Sequence, residues 1–291
     1  MTEIDLTHLN QWLGKEQAVE AVISVETANL MNATLNREPT FKAGDELPPA
    51  WHWLYFHEAV LGNGLGVEGH AKLGGFMPPV SFGGDVPPRR MWAGGSFQFE
   101  RPIRLGDHAT KRSSIKSITP KQGRSGRLCF VIVEHEITVN NERCLLEEQT
   151  IVYREPAKVG SQAIKAKPAP TDATLSIAYT PDPILLFRYS ALTFNGHRIH
   201  YDVDFCRKHE GYPNLVVHGP LVATLLLDLF YHQSPNQALA GFAYRARSPL
   251  FNPHPFTVNG KINGKTDGKS AEAWASNHEG GLAMTAKVIF K

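Results

Sequence analysis

The densest run of side chains able to do chemistry lies between Tyr189 and Asp202, and it contains Ser190, Asn195, His197, Arg198 and His200. A short string, Val216-Val217-His218-Gly219-Pro220, follows it. A neutral imidazole, with an ordinary pKa of about 6.5, is a competent base near neutral pH, so His200 can take a proton from water. Asn195 cannot trade protons as a carboxyl can, but its amide can hold a water molecule or a substrate oxygen. Gly219 stands just before Pro220. A helix opening at that proline leaves unpaired N–H groups and a positive dipole end near Gly219, and a glycine lets an oxygen approach closely. A base for the water, and donors for an oxygen that becomes an enolate, are the two devices needed to add water to an enoyl thioester.

Each of these residues also has a plainer reading. His197 and His200, three positions apart, with Asp202 and His218 near, have the types of a metal site. The helical signals on either side imply a turn instead of a ligand-bearing helix, so no metal is expected. Asp202 can assist as an acid or cap a helix over residues 203–209. Arg198 can pair with Asp202 or Asp204, or touch substrate, and His218 can orient the following helix or act directly. Arg89 and Arg90 close a Gly/Pro-rich stretch, 66–88, and precede what reads as a tight turn at Ala93-Gly94-Gly95. Paired arginines are commonly solvated surface, yet a guanidinium grips a carboxylate through two parallel bonds. A substrate with a free carboxylate would give one of them a role. Tyr189, Ser190, Arg198 and His218 complete the candidate substrate contacts. The chain has no phosphate loop, G-x-S-x-G elbow or dinucleotide fingerprint, which disfavours ATP, serine-hydrolase and nicotinamide chemistry.

The elements that must position these residues fall into two halves. A stretch rich in Pro, Ala, Lys and Ser over 156–180 reads as a linker between a half over 1–155 and one over 181–291. In the first, Arg127–Val139 and Glu142–Tyr153 read as a hairpin through Asn140-Asn141, with Lys111–Ile118 as a strand before them. In the second, strands are expected at 240–247, 256–262, 271–276 and 282–290, separated by Gly-rich turns. Asp182-Pro183 reads as an N-cap followed by proline in the first turn. Gly219–Tyr231 is apolar around nearly its whole circumference and should be a buried helix. A repeat is suggested by placing Pro102 on Pro249, an offset of 147 (249 − 102), with Trp51–Val60 matched to the buried helix. The stretch 66–88 then reads as an insertion shaped to lie over a pocket.

The chain has 291 residues, enough for two domains or one duplicated unit. With 30 Lys and Arg against 28 Asp and Glu, the net charge of +2 gives no reason to invoke nucleic acid. Three cysteines without C-x-x-C spacing argue against a disulfide framework and suit a reducing compartment. The acidic start, Met1-Thr2-Glu3-Ile4-Asp5, fits neither a signal nor a transit peptide, and no stretch is long and apolar enough to span a bilayer. A soluble, cytoplasmic protein is expected.

Two strings carry a resemblance. Asn195, His200 and Asp202, with His218-Gly219 downstream, resemble the hydratase motif of the (R)-specific enoyl-CoA hydratases, the MaoC-like family, with Asn195 on the position of the family's catalytic Asp. Ser190 to Asp202 and Pro88-Arg89-Arg90-Met91-Trp92-Ala93-Gly94-Gly95 are similar to strings of a subgroup holding the mesaconyl-C4-CoA hydratases and the type 2 3-hydroxyacyl-thioester dehydratases. The resemblance implies an α+β double hotdog, sheets wrapped around a central helix, in which only the second hotdog keeps catalytic residues. It implies a hydro-lyase with His200, Asn195, Gly219 and Asp202 at its centre. The substrate would be an acyl-CoA thioester of C5 dicarboxylic type, mesaconyl-C4-CoA or itaconyl-CoA interconverted with citramalyl-CoA. No cofactor is implied beyond the coenzyme A of the substrate, and a homodimer or higher homo-oligomer is expected. The alternatives are a type 2 dehydratase acting on acyl carrier protein, a non-catalytic acyl-thioester binder and a thioesterase.

Overall fold

The computed structural model describes residues 5–83, 88–123, 126–155, 166–233, 238–262 and 270–291. Its strands are β1 (Glu16–Val22), β2 (Arg89–Phe99), β3 (His108–Gly123), β4 (Gly126–Val139), β5 (Glu142–Arg154), β6 (Leu175–Tyr179), β7 (Leu239–Ala246), β8 (Phe256–Ile262), β9 (Ser270–Asn277) and β10 (Leu282–Phe290). They form one antiparallel sheet in the order β1-β3-β4-β5-β2-β7-β10-β9-β8-β6. From either edge inward the equivalent strands occur in the same order, so the sheet is two copies of one five-stranded unit. The copies join at β2 and β7, from Gly94 opposite Arg245 to Gln98 opposite Gly241. Strands β2 and β7 end at Phe99 and Ala246, 147 residues apart (246 − 99), which is the offset between Pro102 and Pro249.

Most of the expected strands form within a residue or two of their expected ends. Asn140 and Asn141, both at positive φ (51° and 63°), close the β4–β5 hairpin. Two readings change. Ala93-Gly94-Gly95 is no turn; it lies inside β2, at a shift of register between Trp92 and Gly94. The glycines serve the seam: a Cβ on Gly94 would stand 2.5 Å from the Tyr244 carbonyl oxygen, and one on Gly95 2.4 Å from that of Glu148. Leu175–Tyr179, inside the stretch read as linker, pairs with β8 as an edge strand. Residues 156–165 of that stretch lie outside the described residues.

The central helix, Gly219–Gln233, lies against β7 to β10. Leu221, Leu225, Leu226, Leu227 and Phe230 are almost wholly buried, at about 1.5–3 kcal/mol for each large side chain taken from water. The facing strands accommodate it with small residues, Gly260, Ala271, Ala273 and Ala275. Among the described residues, the first half has no such helix. Residues 51–60, matched to it above, contain a single 3₁₀ turn at Trp51–Leu54. Val80 and Phe82, from the stretch read as an insertion, pack instead on Ile115, Cys129, Val131 and Ile151 of β3 to β5. One buried apolar cluster runs from Ile23 to Phe290 across both halves, so they share a core. Among the described residues, no helix is long and apolar enough to cross a membrane.

Each half also carries a helix before its central segment, Val25–Thr34 and Pro183–Leu192, 158 residues apart (183 − 25). Ser24 caps the first by accepting from Thr27 N–H, and Asp182 the second by accepting from Leu185 N–H, with Pro183 at the first position. Both helices end in the same turn. Asn36 (φ 57°) and Phe194 (φ 49°) occupy the left-handed position. Arg37 N–H then donates to Asn32 O, and Asn195 N–H to Ser190 O, each at 2.8 Å. The residue of the first half that stands where Asn195 stands in the second is therefore Arg37.

Candidate active site

Asn195, His197 and His200 project from the turn that follows Pro183–Leu192. The Asn195 Oδ1 accepts from the His197 N–H at 3.0 Å, which leaves the amide NH₂ to face outward. His200 sits on a 3₁₀ turn, Arg198–His200, and is 6% exposed. Its Nδ1 lies 2.7 Å from the Val216 carbonyl oxygen. A carbonyl can only accept, so Nδ1 carries the hydrogen and Nε2 keeps its lone pair. Burial lowers the pKa of His200 from 6.5 to about 4, against the opposing pull of the Val216 carbonyl. The ring is neutral at physiological pH.

His218 is completely buried and stacks on His200, with ring centroids 3.6 Å apart and 17° between planes. Its Nε2 bonds the Ser190 hydroxyl at 2.8 Å. The His218 carbonyl accepts from Val222 N–H in the first turn of the central helix. His218 thus ties the histidine on the turn to the start of that helix. The helix opens at Gly219, one residue before the proline, and among the described residues no carbonyl accepts from the Gly219 N–H. A Cβ on Gly219 would stand 2.6 Å from Cε3 of Trp92. The room left by the missing side chain holds an indole ring, while the N–H stays available to the cleft.

Other candidates are committed within the chain. Asp202 Oδ1 accepts from Phe205 N–H at 2.9 Å and Oδ2 pairs with Arg198 at 2.7 Å. Asp202 is therefore a cap and Arg198 its partner. Tyr189 is 1% exposed and packs edge-on against His218. Arg89 pairs with Glu210 at 3.1 Å and donates to the His209 carbonyl. Arg90 differs. Among the described residues it has no carboxylate within ion-pair distance, and its charge helps to lower the pKa of His70 and of His197. For His197 burial is the larger cause, with the charges of His200 and Arg90 adding to it, and the value falls to about 3.

Sequence reasoning missed His70, which lies within the Gly/Pro-rich stretch. Its ring lies 4.2 Å from that of His197, and the chain around it docks on the turn that carries Asn195 and His200. Arg198 N–H donates to Glu68 O at 2.9 Å and the Arg198 guanidinium to Val67 O at 3.1 Å. Gly69 (φ 97°) lies so close to Gly196 that a Cβ would stand 1.9 Å from its carbonyl oxygen. The only prior signal was composition, since a histidine among glycines has no period to place it. Among the described residues, no three His, Cys, Asp or Glu side chains converge as metal ligands.

Residues 50–252, more than half of the chain, match the hydroxyacyl-thioester dehydratase type 2 family. A mesaconyl-C(4)-CoA hydratase from Chloroflexus aurantiacus is 40% identical over 278 residues, which cover 95% of this chain and 96% of that protein. The chain belongs to the hydroxyacyl-thioester dehydratase type 2 family. It is a hydro-lyase. Solved structures agree on the fold. A MaoC-like dehydratase from Phytophthora capsici superposes with a TM-score of 0.67 at 11% identity, covering 99% of each chain. A Mycobacterium tuberculosis protein with a double hotdog fold superposes with a TM-score of 0.58 at 12% identity, covering 96% of each chain. In this member of the type 2 family the two hotdogs share one sheet, and the long helix belongs to the second. The vestigial position in the first half is filled: Arg37 reaches Asp228 on the central helix at 2.8 Å.

Proposed function

We propose that the protein adds water to a short enoyl-CoA whose β-carbon carries a carboxylate, of which mesaconyl-C4-CoA is the type, and runs the same reaction in reverse. The observation that carries this reading is Arg90, a guanidinium without an ion-pair partner among the described residues, whose charge acts on His70 and His197 in the cleft that holds His200. In mesaconyl-C4-CoA the free carboxylate sits on the carbon that receives water. A cation for it must therefore lie near the base, and the Arg90 charge acts on His197, whose ring is 5.5 Å from that of His200. The 40% identity to a mesaconyl-C(4)-CoA hydratase supports the same choice.

In this scheme His200 Nε2 takes a proton from water as the water oxygen bonds to the β-carbon. The double-bond electrons move onto the thioester, whose oxygen takes negative charge and accepts from Gly219 N–H at the positive end of the central helix. The imidazolium then returns its proton to the α-carbon, so one residue serves as base and acid. Asn195 holds the water through its amide NH₂. His218 and Ser190 fix the plane of the His200 ring, and Asp202 with Arg198 shapes the turn. A second reading, dehydration of a 3-hydroxyacyl chain on acyl carrier protein, is favoured by the family's description.

The two are separated by a hydration assay on mesaconyl-C4-CoA and crotonyl-CoA, which lacks the carboxylate. A charge-assisted pair contributes about 2–3 kcal/mol, close to a hundredfold. Arg90→Met should lower kcat/KM for mesaconyl-C4-CoA by that factor relative to crotonyl-CoA. Equal losses on both substrates would remove Arg90 from carboxylate recognition, and a wild-type preference for longer monocarboxylic chains would put the second reading first.

A further inference from the structure

Among the described residues the first half lacks a central helix, and the sheet face that would have received it is only partly filled with apolar side chains. Along β4 the inward residues are Cys129, Val131, Val133, His135 and Ile137; along β5 they are Leu145, Glu147, Gln149, Ile151 and Tyr153. Polar residues interrupt both apolar runs at the same level. Ser113 of β3 lies opposite His135, and His135 opposite Glu147, so one polar row crosses three strands. The row is bonded internally. Ser113 Oγ is 2.7 Å from His135 Nδ1. Glu147 Oε2 is 3.0 Å from His52 Nε2, and Oε1 accepts from Trp53 Nε1 at 3.0 Å. Both oxygens of this buried carboxylate are thus taken.

Lys111, one step along β3 on the same face, completes the group. Its ammonium lies 5.5 Å over the Phe56 ring, and among the described residues no carboxylate stands within ion-pair distance of it. Burial lowers its pKa, against the pull of the Glu147 and Glu58 charges. Lys111, His135, Glu147 and Gln149 line the same cleft as Asn195, His200 and Gly219. Resting on the reading of His200 above, we propose that this polar floor limits the acyl chain, with Lys111 as the specificity-determining residue. An alkyl chain running past the site into the first half would strip water from an ammonium that, among the described residues, has no carboxylate within ion-pair distance to replace it. It would return no hydrogen bond. A short acyl group ends before the floor and leaves Lys111 hydrated.

The test uses two substrates without a free carboxylate, crotonyl-CoA and trans-2-octenoyl-CoA, so that its outcome is independent of Arg90. Wild-type protein should hydrate crotonyl-CoA well and octenoyl-CoA poorly. Lys111→Met keeps the stem and removes the charge, and it should raise the octenoyl-to-crotonyl ratio of kcat/KM by about tenfold or more. Its melting temperature should not fall, because a half-buried ammonium with no carboxylate at ion-pair distance among the described residues is no source of stability. Gln149→Leu, which keeps the Glu147 bonds to His52 and Trp53 but removes the amide that bonds His135, should shift the ratio the same way and serves if Lys111→Met does not fold. Equal use of the two substrates by wild type overturns the proposal, as does an unchanged ratio in a folded variant. Either result can occur while His200-dependent hydration of mesaconyl-C4-CoA stands. Loss of that activity would instead strike the hydratase reading.

Discussion

Three neighbours set the state of the His200 ring. The Val216 carbonyl fixes its tautomer, His218 holds its plane, and burial keeps it neutral. Removing the ring should lower kcat for enoyl-thioester hydration by at least about a hundredfold in His200→Ala, the range of general acid–base catalysis, with the fold intact by circular dichroism. Because the ring's pKa is depressed to about 4, it stays a base well into acid. The kcat/KM profile should therefore be level through the usual imidazole range near pH 6.5, with its acid limb well below it. An inflection at the ordinary histidine value would assign catalysis elsewhere. The spacing of Asn195, His200 and Gly219 singled these residues out in the sequence, and the fold brings all three to one cleft. The choice between Arg89 and Arg90 was not legible, since it turns on Glu210, which is distant in sequence and reaches only Arg89.

At the scale of elements, the turn after each paired helix is the most telling feature. The same backbone bonds place Asn195 in one copy and Arg37 in the other. Arg37 closes its copy by pairing with Oδ2 of Asp228, which is 2% exposed. Arg37→Ala should cost about 3 kcal/mol in denaturant unfolding, because it strands a buried carboxylate. Pairing Arg37→Met with Asp228→Leu should recover most of that loss. Similar destabilisation in the double variant would show that the pair acts through something other than charge. Gly219→Ala is a second test at this scale, since its methyl would collide with Trp92. Activity should fall steeply while the melting temperature shifts by only a few degrees. The strands and the apolar central helix were legible from periodicity. The missing first helix was not, because Trp51 to Phe56 are apolar enough to suggest one and only the packing of Val80 and Phe82 shows what fills part of that face. The polar row across β3 to β5 was equally hidden: each strand shows one or two exceptions, and only register brings them together.

For the whole molecule, the core gathers ionisable groups that fold in one protonation state. Burial holds His135 near 4, His197 near 3 and His200 near 4, and keeps His218 neutral as well. A histidine whose folded pKa is depressed contributes stability above its unfolded value. That contribution is lost as pH falls below about 6.5, because the unfolded chain binds the extra protons. Glu147, held charged by its bonds to His52 against the opposing effect of burial, adds a loss of the same sign at lower pH. The melting temperature should therefore drop progressively between pH 7 and pH 5; a level or rising curve would contradict neutral burial of these rings. The most direct test is the decay of the enoyl-thioester absorbance of mesaconyl-C4-CoA, measured side by side with wild type and folded His200→Ala. Rapid decay with wild type, and decay at least about a hundredfold slower with the variant, is the expected result. Wild-type protein that leaves the absorbance unchanged, or a variant that matches it, would contradict the assignment of hydration to this site.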